Sequence, residues 1–138
     1  MMPLLRFIPV LAFALAAANA RAEAVQTDRF FAIQSVEAPA QPEVIVRISE
    51  NARAKAFVKA LHTGKPLRLT SRLVQRPSPW SPHWPFYTER HRLLPIDTLV
   101  ARCSSHTPNE LASRIAAGAR VHGSAWCPAV RVVREIRR

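Results

Sequence analysis

Glycine is nearly missing from this chain, with three residues in 138, at positions 64, 118 and 123. That scarcity excludes a glycine-rich phosphate cradle and the G-x-S-x-G elbow of a serine hydrolase, both of which need glycine to bring backbone amides close to a ligand. Cysteine is almost as scarce. The two, Cys103 and Cys127, are too far apart for a C-x-x-C redox motif and have no run of ligand residues beside them. Acidic residues are few, nine against 20 Lys and Arg. No apolar run reaches the roughly 17–25 residues needed to cross a bilayer as a helix.

What is present begins with a leader. Arg6 precedes an uncharged apolar run from Phe7 to Ala18, and Ala18-x-Ala20 and Ala20-x-Ala22 both have the small-x-small form of a cleavage site. Residues 1–22 therefore read as a signal peptide cleaved near Ala20 or Ala22, which predicts a secreted or periplasmic protein. In an oxidising compartment two cysteines favour a disulfide, worth about 3 kcal/mol in the chain-entropy model for this separation.

Loss of Arg6 and Arg21 with the leader takes the formal charge from +11 to +9. A basic exported protein meets acidic proteins, anionic envelope polymers or an anionic membrane surface. Nucleic acid is not an expected partner, since the basic residues are dispersed rather than run together.

Residues 23–42 read as an extended N-terminal segment in which Phe30–Ile33 form a short strand, and residues 43–138 as one domain. Val44–Ile48 alternates as a strand. Ser49 is placed to cap a helix over 50–62, with Ala54, Phe57, Val58 and Leu61 on one stripe and Gly64 and Pro66 at its end. Leu67–Val74 alternates again. Residues 76–87 hold four prolines with Trp80, Trp84, Phe86 and Tyr87, and read as an extended segment anchored by its rings. A strand over 99–102 is expected to end at Cys103. Thr107-Pro-Asn-Glu110 is a capping box opening a helix that stops at Gly118, and 130–136 is a closing strand. The predicted fold class is α+β, a small sheet of about four strands with two helices packed on it and one disulfide.

Four pieces, in order, resemble one family. They are Val44–Ser49 followed by a basic helix, Trp80-Ser-Pro-His83, a strand ending in Cys103, and Ala125-Trp-Cys-Pro128 leading to Val132-Val-Arg-Glu135. Together they resemble the small domain family typified by the N-terminal domain of a calmodulin-binding protein, over roughly residues 43–136. This chain departs from it in having Trp84-Pro85, with no acid, after His83. The resemblance implies that the Cys103–Cys127 bridge is a staple of the fold, that His83 belongs to a motif, and that calmodulin-type binding is one alternative function. The basic amphipathic helix 50–62 is its generic counterpart.

The expected binding residues are Trp80, His83, Trp84, Tyr87, Arg90, Arg92 and Trp126, with Arg72 and Arg76 nearby. Tryptophans offer a stacking platform and arginines meet anions. His83, His91 and His122 are the candidates for a metal site, in a metal-binding protein or metal-dependent hydrolase, although their spacing matches no ligand motif. Glu89 and Asp97 bracket the same region as a candidate acid–base pair. No nucleophile motif is present and no cofactor is expected. The reading is a non-enzymatic exported domain that binds a protein or an anionic envelope polymer.

Overall fold

The structure is a computed structural model whose described residues are Pro3 and 27–137. The signal peptide expected at 1–22, Pro3 apart, lies outside them. The element order is β1 (Arg29–Ser35), β2 (Val44–Ile48), α1 (Asn51–Thr63), β3 (Leu67–Val74), β4 (Tyr87–Pro95), α2 (Pro108–Ala116), β5 (Ala125–Trp126) and β6 (Ala129–Ile136).

The expectation of an α+β domain with about four strands is overturned. Six strands form one sheet in the order β2-β1-β6-β3-β4, with β5 paired to β3, and every pairing is antiparallel. Among the described residues strand outweighs helix, and two helices complete the sheet. Three differences produce the change. Phe30–Ile33 is the middle of a seven-residue strand, β1, paired on both sides. Ala125–Trp126 adds a short strand beside β3. The strand expected at 99–102 is instead a loop: Thr98 donates to the Pro95 carbonyl in a turn, and Leu99 stands almost fully exposed. The strand of that region lies earlier, over Tyr87–Pro95, and Cys103 sits in the loop rather than at a strand end.

Alternation decides the faces. In β2, Val44, Val46 and Ile48 are buried and Arg47 is exposed; in β3, Leu69, Ser71 and Leu73 are buried. These inward residues meet Phe31, Ile33 and Val130, Val132 from β1 and β6 in one core. Helix α1 lays Ala54, Phe57 and Ala60 on it, with Val58 and Leu61 partly buried. The N-cap is Glu50 rather than Ser49, and no side-chain bond closes it; Gly64, at φ 64°, ends the helix in the left-handed conformation that glycine adopts without strain. Helix α2 opens on the expected capping box, with Glu110 N donating to Thr107 Oγ1 and Thr107 N to Glu110 Oε1.

The sheet curls enough that its two edge strands, β2 and β4, approach one another. Neither pairs with the other. Segment 78–84 crosses part of the gap, where Ser81 Oγ accepts from Ile45 N and Trp84 Nε1 donates to the Glu43 carbonyl. The edge of β4 is unsuited to pairing with a foreign strand. It carries a register shift beside the left-handed Arg90 (φ 56°), an exposed Arg92, and Pro95, which has no amide hydrogen.

The Cys103–Cys127 disulfide is present, with Cα atoms 5.8 Å apart. It holds the 96–106 loop against the β5–β6 junction, where Cys127 N also donates to the Ser104 carbonyl at 2.6 Å.

A candidate binding groove between the first helix and the fourth strand

The groove originates in the composition of α1. Alanines at 52, 56 and 60 follow one another at i, i+4 and i+8, so they stack on one side of the helix. A methyl group does not reach across to the neighbouring strand, and space is left between α1 and β4. Three adjoining cavities occupy it. The first, about 230 Å³, lies between the end of β2 and the start of β4, against Arg47, Arg53, Trp80, Tyr87 and Arg90. The second, about 300 Å³, has Ala52, Ala56, Phe57, Arg92 and Leu93 as walls. The third, about 350 Å³, continues along Ala56, Ala60, Lys59, Lys65, Leu93 and Leu94. Shared lining residues join them: Glu50, Arg53 and His91 between the first and second, Ala56 and Leu93 between the second and third. At about 3.3 Å per step, the eight steps between the nine residues of β4 give the groove a length of about 26 Å, matching about eight residues of an extended chain.

Its electrostatics are one-sided. Six cations line it against two acids, Glu50 and Glu89. Both acids are engaged, Glu50 with Arg53 at 3.1 Å and Glu89 with Arg72 at 3.8 Å. Among the described residues no ion pair involves Lys59, Lys65, Arg90 or Arg92. The aromatic end is ordered by stacking. The Arg47 guanidinium lies 4.3 Å from the Trp80 ring, Tyr87 meets Trp80 edge-on at 5.1 Å, and Arg76 donates to the Tyr87 hydroxyl at 3.0 Å.

His91 sits in the floor at 3 % exposure. Its Nε2 is 2.7 Å from Thr88 Oγ1, and its ring stands edge-on to Phe57. Burial, then the nearby Arg53 charge, lower its pKa to about 4, so the imidazole is neutral at physiological pH.

The residues expected to bind divide into two groups. Trp80, Tyr87, Arg90 and Arg92 meet along this groove. Trp84 and Trp126 do not; they are core residues at 2 % and 0 % exposure, stacked through Phe86, with the Trp126 indole donating to the His106 carbonyl. His83 is exposed and lies edge-on to Trp84 at 4.8 Å, away from the groove lining. The three candidate metal ligands are dispersed: His91 bonds Thr88, and His122 Nδ1 accepts from Gln75 N at 3.3 Å. Among the described residues no group of three or more His, Cys, Asp or Glu is placed to hold a metal ion. Glu89 is ion-paired with Arg72, and Asp97 is in the exposed loop after β4, so these two do not face each other across a site. The apolar stripe of α1 that would serve a calmodulin-type target helix is buried in the core.

Sequence reasoning missed Arg47, Arg53, Lys59 and Lys65 as groove residues. The alanine spacing at 52, 56 and 60, beside Lys59, was the available signal. No family model matches the chain, and no curated protein or solved structure matches it either.

Proposed function

We propose that this chain is an exported binding module, and that the groove between α1 and β4 takes an extended acidic segment of a partner protein. The observation that carries this reading is the set of four cations, Lys59, Lys65, Arg90 and Arg92, that have no carboxylate partner among the described residues and are arranged along the groove. The floor of Ala and Leu suits small apolar side chains, and the basic lips suit carboxylates, so the fitting ligand alternates the two. An extended chain presents its side chains with that period of two. Export follows from the leader at residues 1–22.

The test is a titration of purified, oxidised protein with a fluorescent peptide of about eight residues alternating Glu and Ala. Saturable binding is expected, weakened about tenfold by the double variant K59E/R92E and weakened again in about 0.5 M salt. Ala56→Phe fills the middle of the groove and is expected to abolish binding with the fold intact. If an acidic polysaccharide binds as well as the peptide and Ala56→Phe leaves both unchanged, the ligand is an envelope polymer on the general basic surface and the groove reading fails.

A further inference from the structure

Every large hydrophobic side chain that is exposed among the described residues lies in one loop: Ile96, Leu99 and Val100, at 36 %, 97 % and 36 % exposure. Single exposed aliphatics are ordinary, but three within five residues form a patch. The loop is braced. Its first turn is closed by Thr98 N on the Pro95 carbonyl. Arg68 ties its base, with Nη2 donating to the Ile96 carbonyl and Nη1 to the Cys127 carbonyl, both at 3.0 Å. Arg102, at φ 55°, turns the chain back, and Cys103 is bonded to Cys127. An apolar tip is thus presented to solvent by three independent restraints, where the usual solution is to fold it inward.

We propose that this loop docks the domain on an anionic lipid surface, with Leu99 and Val100 entering the interface and Arg102 meeting headgroup phosphates. Two arguments select the lipid over a protein. Three aliphatic side chains fall far short of the roughly 800 Å² per partner that a stable protein interface buries, which excludes a dimer built on this patch alone. A shallow insertion beside cations is, in contrast, the usual form of interfacial binding, in which apolar burial and attraction to anionic headgroups add. The charge is complementary: Arg102 follows the tip, on a chain with 20 Lys and Arg against nine Asp and Glu. Arg102 is in no ion pair among the described residues. Asp97 is the opposing charge on the loop.

The test is co-sedimentation of the oxidised protein with vesicles containing about 30 mol% phosphatidylglycerol in phosphatidylcholine, against phosphatidylcholine alone. Binding to the first and little to the second is expected, with the partition coefficient falling about tenfold in L99E/V100E and several-fold in R102E. Leu99 is outside the core, so these variants keep their thermal transition and a fall reports the loop. A Leu99→Trp variant is expected to be quenched by brominated acyl chains. The groove variant K59E is expected to leave partitioning nearly unchanged, which separates this proposal from the groove. It is overturned if the protein ignores anionic vesicles, or if L99E/V100E partitions like the parent, the attachment then being diffuse charge. Self-association in the absence of lipid that L99E/V100E abolishes overturns it in favour of a second copy.

Discussion

The two helices meet the same sheet with opposite results. At the α2 end, space is filled with the largest side chains available. Trp126, Phe86 and Trp84 stack in sequence, Leu111 is buried against them, and the disulfide closes the outside. Along α1, a row of alanines faces β4 and a groove stays open, lined by cations instead of rings. The difference is one of side-chain volume at the contact, since tight packing follows only where volumes fill the gap. One end therefore serves stability and the other remains accessible.

Perturbations of the closed end should be the costliest. Trp126→Ala removes a fully buried ring and its indole bond to His106, and should lower the unfolding free energy by about 4 kcal/mol in a denaturant titration. Next, C103S/C127S should lose about 3 kcal/mol, read the same way, because the unfolded chain regains the freedom of the closed loop. Equal stability of reduced and oxidised protein would refute the staple.

His91 is the exception within the open side, a buried titratable group under an accessible groove. Its folded pKa is depressed to about 4, so the unfolded chain binds the proton more tightly. Stability is full above the ordinary histidine value near 6.5 and falls as pH drops from there toward 4, by up to about 3 kcal/mol. Thermal melts across that range should show the fall in the parent and its loss in His91→Gln. An unchanged profile would refute this role of His91, because carboxylates such as Glu135, whose pKa is lowered by its bonds to Arg29, lose their contribution only below the ordinary value of 4.5. The smallest effect on stability belongs to Ala56→Phe, within about 1 kcal/mol, because the added ring lies in space already open to solvent. A large loss there would mean that the groove is part of the core.

Legibility in the sequence followed periodicity. Strands β2 and β3, the α1 stripe and the α2 capping box were all readable, because each keeps its period or cap chemistry intact. Strand β4 was not. The left-handed Arg90 shifts its register midway, so the alternation of Tyr87–Pro95 slips and the charged run Glu-Arg-His-Arg resembles a loop. The apolar Leu99–Ala101 stretch that follows reads as the better strand, yet it is the exposed loop. Half of the candidate site was legible for a related reason. Trp80, Trp84 and Trp126 look alike in a sequence, and only tertiary placement makes the first a groove wall and the others core.

The position of β1 and β6 side by side in the middle of the sheet has a topological consequence. Phe30 is opposite Ile136, and Arg29 holds Glu135 with two bonds, so the chain enters and leaves the fold at neighbouring points. A short linker from residue 137 to residue 28, with the chain opened instead at the exposed turn after α2, should give a circular permutant with the same six-strand order. By the same geometry, the domain inserts into a host protein as a single stalked unit, with its groove and its apolar loop still free to work.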